Sequence, residues 1–207
     1  MLTLGIDEVG RGCWAGPLVV AGVLLDASAP QYRDSKTIHA KRRRVLAEEI
    51  EAQQQYVLAW VEACVIDEVG IAASMRRAVA QVLTALIPNV LDQHDTRIVL
   101  DGTVNYAPLD YQVETIARAD DSVSAVAAAS IVAKVARDQF MIDQARLFPD
   151  FAFDKHVGYG TAAHRSALQR YGLTSLHRKS FQPMKTMDFP NNPDSGQPLP
   201  RRETRRR

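Results

Sequence analysis

The chain has 207 residues, 46% of them hydrophobic and 24% charged, with a formal net charge of +1. That is enough apolar material for one folded domain with an extension, and too much for a disordered polymer. There is no global positive field, so a nucleic-acid partner would have to be held by a local basic patch.

In chain order, TLGIDEV (3–9) and LVVAGVLL (18–25) are β-branched runs bounded by Gly and Pro, and they predict two strands joined by GRGCWAGP. The segment 35–55 predicts a helix with Ser35 as N-cap and Val45, Leu46 and Ile50 on one face. YVLAWVEACV (56–65) reads as a third strand. From Ile71, the spacing of Met75, Val79, Val82, Leu83 and Leu86 predicts a helix that Pro88 stops. RIVLDG (97–102) and YQVETIAR (111–118) predict two further strands. A long helix rich in Ala and Ser follows over 120–148, expected to lie flat against the core, and GTAAHRSALQRYG predicts a last helix closed by Gly172. The pattern is that of an α/β domain with a mixed sheet over residues 1–187. From Asp188 onward the chain carries five arginines against three acids and almost nothing apolar, which predicts a disordered basic tail over 188–207.

Cys13 and Cys64 lack the spacing of a metal site or disulfide framework and are expected as small hydrophobes. Acids at positions 7 and 8 interrupt any apolar leader, and LVVAGVLL is far short of the about 20 residues that span a bilayer. The expected compartment is the cytoplasm, with no membrane partner.

The carboxylates carry the chemistry. Asp7 and Glu8 end the first strand inside an apolar run, where an unpaired ionised acid costs several kcal/mol. Asp101 ends RIVLD before Gly102, and Asp120 and Asp121 stand where a strand gives way to the small-residue helix. Acids at neighbouring strand ends converge on the crevice where α/β sheets bind ligands. Together they call for divalent cations, and an all-oxygen donor set suits Mg2+ or Mn2+ rather than zinc. Neighbouring strand residues point to opposite faces, so Asp7 and Glu8 sharing a site requires a bend, which Gly10-Arg11-Gly12 permits. Taken singly, an Asp before Gly is as often a turn former, and Asp120 or Asp121 as often a helix cap. GRGCWA also matches the dinucleotide fingerprint, but a strand rather than a helix follows it, so the fingerprint fails its structural test.

GIDEVGRG, DSK, LDG, AASIVAKVARD, HVGYGT and HRKSF occur in the order and at the spacing of bacterial ribonuclease HII, and over residues 3–183 the chain resembles that family. The resemblance implies a ribonuclease H-like fold: a five-stranded mixed sheet flanked by helices, with a C-terminal helical region. It implies an endonuclease that hydrolyses the RNA strand of RNA–DNA hybrids and single ribonucleotides embedded in duplex DNA, as in ribonucleotide excision repair and DNA replication. Two divalent ions, Mg2+ or Mn2+, would serve as cofactors, with 3′-hydroxyl and 5′-phosphate products. Its metal ligands fall on Asp7, Glu8, Asp101 and Asp120, with Asp7 and Asp101 central; Asp120 is selected over Asp121 because the family acid lies ten residues before the Ser matching Ser130. The 2′-hydroxyl-reading turn falls on Gly10, Arg11 and Gly12, the sugar-stacking tyrosine on Tyr159, and a segment near the substrate backbone on Ser35 and Lys36.

Where the family often has Lys, Pro, Lys-Gly and Asn, this chain has Val157, Gly160, Arg118-Ala119 and Thr103. These departures bear on substrate affinity, since a lost Lys is a lost phosphate contact. His156, His164 and His177 receive no catalytic role, and the expected state is a monomer. Two rival readings are a nuclease of the same fold acting on another structure, such as a DNA junction, and a non-enzymatic binding module. The Gly10–Gly12 turn with Tyr159 stands against the first, and four intact acids stand against the second.

Overall fold

The computed structural model describes residues 2–33, 38–87 and 94–189. Five strands, β1 (Leu2–Val9), β2 (Leu18–Leu25), β3 (Gln55–Val61), β4 (Thr96–Asp101) and β5 (Val113–Ile116), form one sheet in the order β3-β2-β1-β4-β5. β1–β2 and β2–β3 are antiparallel, whereas β1–β4 and β4–β5 are parallel, so the sheet is mixed as expected. The helices are α1 (Ala40–Gln53), α2 (Ala63–Leu86), α3 (Ser124–Leu147), α4 (Phe153–His156) and α5 (Ala162–Tyr171). Among the described residues no helix is long and apolar enough to cross a membrane.

β2 is apolar throughout because both its faces are covered. Leu18 and Val20 join Leu4 and Ile6 of β1 against Met75, Val79, Val82 and Leu83 of α2. Val19, Ala21 and Val23 face the other way, against Ile50 of α1 and Ala127, Ala128 and Ile131 of α3. This two-residue alternation sets the layers: α2 on one face, α1 and α3 on the other. α3 comes unusually close. A Cβ at Gly5 would collide with the backbone of Ala125 and Val126, so a glycine in the strand and alanines in the helix together allow the contact.

Several boundaries differ from the sequence reading. α1 starts at Ala40 with His39 as N-cap and no side-chain cap bond, and the expected cap, Ser35, lies outside the described residues. Its buried residues are Ala47 and Ile50, while Val45 is exposed, because the stripe facing α3 is one residue further along the helix. The third strand stops at Val61: Ala63 and Ile66 face the core at helical spacing and open α2, which is broken at Gly70 (φ +79°) before it resumes. Asp120 does not begin the long helix. It sits in a separate 3-10 turn, Ala119–Asp121, and α3 begins at Ser124. Phe189 is 4% exposed and packs with Met184, Phe153 and Leu168, so the packed body reaches two residues past the expected boundary at 187. The rest of the expected tail, 190–207, lies outside the described residues.

The C-terminal region is built round three buried histidines. His156 Nε2 donates to the Phe151 carbonyl at 2.7 Å, and its Nδ1 accepts from the Gly158 N–H at 3.2 Å. His164 Nδ1 donates to the Tyr159 carbonyl at 2.9 Å, its Nε2 accepts from His177 Nε2 at 3.0 Å, and His177 Nδ1 accepts from the Thr174 N–H at 2.9 Å. These partners assign one proton to each ring. The rings of His156 and His164 stack with centroids 4.4 Å apart. Burial pushes His164 down to about 4 and His177 down to about 3, and it lowers His156 as well. All three are therefore neutral structural groups, and the turn that carries Tyr159 hangs from them.

Two outcomes check this packing. Gly5→Ala should cost about 2 kcal/mol or more and lower the melting temperature by about 5 °C, because backbone rather than a flexible side chain opposes the new methyl. An unshifted melt would mean that α3 does not rest on β1. For the histidines, the unfolded chain takes up protons near pH 6.5 while the folded one does not, so stability is full above that pH and falls below it. Each of His164 and His177 removes up to about 1.4 kcal/mol per pH unit until its folded value is reached. Ring-proton NMR of the folded protein should show both unprotonated from pH 7.5 down to about 5, and a midpoint near 6.5 for either would contradict the network.

Candidate active site

The acids gather where the sheet ends. Parallel pairing of β1 with β4 runs to Ile6↔Leu100, so the next residues in register are Asp7 and Asp101. Asp101 is held from the other side: Ala119 N–H donates to its Oδ1 at 2.7 Å, and Gly102 N–H donates to the Ile116 carbonyl at 3.0 Å. Alternation turns Asp7 towards α3, where a Ser130 side chain hydrogen-bonds it, and turns Glu8 towards the α2 face. The bend expected between them is not there, since β1 keeps its register with β2 through Val9↔Val19. Both carboxylates nevertheless line one cleft of about 310 Å3, which opens where β4 stops pairing with β1.

Asp101 shares that cleft with Asp7 and Glu8. Gly10, Arg11, Gly12 and Tyr159 form a second wall, and two cations that the sequence reading did not single out, Arg43 and Lys134, complete the lining. Tyr159 is 42% exposed, so its ring is open to a ligand. Asp120 is not in the lining. It lies 1% exposed beside the Ala119 amide that holds Asp101, whereas Asp121 is turned to the surface and pairs with Arg118 at 2.7 Å. Ser35 and Lys36 fall outside the described residues.

The site is electrostatically incomplete. Burial raises Asp7 from the ordinary carboxylate range to about 7, helped by the charges of Glu8 and Asp101 and opposed by the Ser130 hydrogen bond. Glu8 is also raised by burial, with Arg11 pulling the other way. Arg11 spans the gap: one nitrogen lies 3.5 Å from Glu8 Oε1, another donates to Tyr106 Oη at 2.8 Å, and the guanidinium sits over the Tyr106 ring. A hard cation would relieve the excess negative charge, and all the acidic donors are oxygens. Among the described residues no three His, Cys, Asp or Glu side chains close round one point as a finished cage. Mg2+ is commonly held by one or two carboxylates, with water and substrate phosphate filling its octahedron, so an open acid-lined cleft fits such an ion.

The loop between β1 and β2 is fixed from beneath by two fully buried arginines. Arg137 of α3 donates to the carbonyls of Pro17, Ala15 and Val157 at 2.8, 3.0 and 2.8 Å. Arg178 donates to Gly16 through Nε and Nη2, at 3.1 and 2.9 Å, and to the Arg11 carbonyl at 2.9 Å; burial lowers it to about 10. Neither forms an ion pair with a described carboxylate. The sequence reading missed both, although Arg137 carries a signal: it stands four residues after Ala133 and four before Met141, on the buried stripe of α3. Gly160, where the family pattern has Pro, backs onto the Trp14 indole, and a Cβ there would strike it.

Comparison with known proteins gives a consistent picture. The family model described as Ribonuclease HII matches residues 4–184. Ribonuclease HII of Francisella philomiragia is 39% identical over 191 residues, covering 90% of this chain and all of that protein. That of Aliarcobacter butzleri is 38% identical over 178 residues, covering 86% of this chain and 89% of the relative. Among solved structures, ribonuclease HII in its PCNA complex from Archaeoglobus fulgidus superposes with a TM-score of 0.73 at 26% identity, over 88% of this chain and 96% of that one. The fold is thus ribonuclease H-like, and the chain belongs to the ribonuclease HII family of divalent-metal-dependent endoribonucleases that act on RNA–DNA hybrids.

Proposed function

We propose that this endoribonuclease cleaves both the RNA strand of hybrids and single ribonucleotides embedded in duplex DNA, leaving 3′-hydroxyl and 5′-phosphate ends. The observation that carries this reading is one cleft holding both parts of the task. Three carboxylates sit at one wall, and the Gly10–Gly12 main chain with the exposed Tyr159 ring forms the other. The 2′-hydroxyl is what separates RNA from DNA, and a main chain with glycine at two of three positions can approach a sugar closely enough to hydrogen-bond it. Tyr159 would stack on the sugar beyond the RNA-to-DNA junction, while Arg43 and Lys134 neutralise backbone phosphates flanking the scissile bond.

Two divalent ions, Mg2+ or Mn2+, would activate the attacking water and stabilise the leaving oxygen when bound. Asp7 and Asp101 would be central in holding them, with Glu8 and Asp120 completing the set. Asp120 lies behind Asp101 rather than on the cleft surface, so its part would include supporting the Ala119–Asp101 contact. Arg11 would keep its bond to Tyr106 and give up its looser contact with Glu8 when that carboxylate holds an ion.

Cleavage of a duplex carrying one ribonucleotide, with and without Mg2+, tests the reading directly. Asp7→Asn and Asp101→Asn should each lower kcat about 100-fold or more while the protein remains folded, because shape is kept and a cation-holding charge is lost. Near wild-type turnover in either would overturn the metal-site assignment. Between the neighbouring acids, Asp120→Asn should damage activity by about tenfold or more beyond Asp121→Asn, whose side chain is engaged at the surface. Equal losses would return the ligand role to an open choice between them.

A further inference from the structure

We propose that Arg137 is a positioning residue for substrate discrimination: it fixes the Gly10–Gly12 loop and the turn bearing Tyr159 at one separation before substrate arrives. The proposal deepens the function above and rests on it for the roles of those two elements.

Arg137 is 0% exposed and has no described carboxylate partner, yet it is not a stray buried charge. Its three nitrogens donate to three main-chain carbonyls: Pro17 and Ala15, which follow the loop, and Val157, which precedes Tyr159 by two residues. One rigid, planar group therefore spans two segments about 140 residues apart in sequence. Cys13 adds a weaker thiol contact from the loop to the Val157 carbonyl, at 4.0 Å, and to the Tyr159 side chain, but only Arg137 offers three charged-group donors to both segments. The backbone closes round it. A Cβ at Gly10 would run into Arg137 Nε and lie 2.8 Å from Cδ, one at Gly16 would lie 3.2 Å from Nη2, and one at Gly158 would lie 3.3 Å from Nη2. All three glycines hold φ between +85° and +88°, a region that side-chain-bearing residues rarely adopt. A direct tie reinforces the bridge, since the amides of Trp14 and Ala15 both donate to the Gly158 carbonyl, at 2.9 and 3.2 Å. Lysine could keep the charge but not the planar three-way fork, leaving carbonyls without donors and the two segments free to separate.

The physical consequence is preorganisation. With the separation preset, binding a ribonucleotide junction costs little ordering entropy, and a duplex lacking the 2′-hydroxyl gains nothing from loop rearrangement. Without the bridge, substrate itself must bring the loop and the Tyr159 turn together, which weakens binding more than it slows a bound substrate.

Arg137→Lys tests this, with folding checked by circular dichroism. The folded variant should show KM raised about tenfold or more with kcat within about threefold of wild type. Binding in EDTA, where no cleavage occurs, should show the affinity ratio between a duplex with one ribonucleotide and the all-DNA duplex falling about tenfold. A merely structural role would lower the melting temperature and leave that ratio alone, and an unchanged ratio in folded protein overturns the proposal. Hydrogen exchange on the wild-type chain gives a second reading that needs no variant. The amides of Trp14 and Ala15 should exchange as slowly in the free protein as those of β1, and substrate should add less than about tenfold protection. Fast exchange that slows only on substrate addition overturns the proposal equally. If the functional reading itself were at fault, wild-type protein would fail to distinguish the two duplexes, whatever Arg137 does.

Discussion

Two positive charges buried without acidic partners organise this molecule. Arg137 and Arg178 are both fully enclosed, and their guanidinium groups are satisfied by main-chain carbonyls of the β1–β2 loop and of the turn before Tyr159. An isolated buried cation is expensive, but three hydrogen bonds from each guanidinium to carbonyl oxygens recover much of that cost. The arrangement also spares the carboxylates. Had an acid paired with either arginine, it would have been drawn away from the sheet end, where the uncompensated negative charge belongs. The protein thus keeps its fixed positive charge under the loop, while Asp7, Glu8 and Asp101 line the cleft.

One helix connects the two halves of this division. α3 descends onto the sheet at Gly5, where only a glycine leaves room for Ala125, and its small-residue face then runs beneath β1 and β2. Ser130 reaches Asp7 from that face, and Arg137, two turns and about 10 Å further along, reaches the loop. The close approach of the helix is therefore a functional dimension. A bulkier residue at the contact would lift the hydrogen bond under Asp7 and the bridge under the Gly10–Gly12 loop together. The histidine stack works at the far end of the same assembly. Its neutral rings hold the carbonyl of Tyr159 and the amide of Gly158 in a pocket of phenylalanines, where a charged ring would be poorly solvated.

Much of this was legible in the chain. The unbroken apolar run LVVAGVLL, the Ala-Ser run and the turn residues round GRGCWAGP point to covered strands and a closely packed helix. Asp7 and Glu8 within an apolar run stood out, because hydrophobic patterning makes a buried acid conspicuous and demands compensation, by a proton, a hydrogen bond or a cation. Misjudged boundaries came where local patterns overlap. Apart from Glu62, Trp60 through Val65 is apolar and suits either period, so the strand-to-helix switch after Val61 depends on Ala63 and Ile66 meeting the core. Val45 and Leu46 are neighbours of equal hydrophobicity, and the position of α3 chose between their faces.

What the sequence determined by itself is the inventory: which residues are acids at strand ends, which glycines punctuate the loop, and which helix can lie flat. These are local properties, encoded within one period of a strand or helix. What only the tertiary structure decided is which of them meet. That Asp7 and Glu8 share a cleft from opposite faces of an unbent strand depends on where β4 ceases to pair. That Asp120 lies behind Asp101 while Asp121 faces solvent depends on a 3-10 turn ahead of α3. That Arg137 bonds the Pro17 and Val157 carbonyls depends on bringing together segments separated by well over a hundred residues. No local periodicity records such an encounter, because a side chain's partner across the fold is set by packing of whole elements, not by its neighbours along the chain.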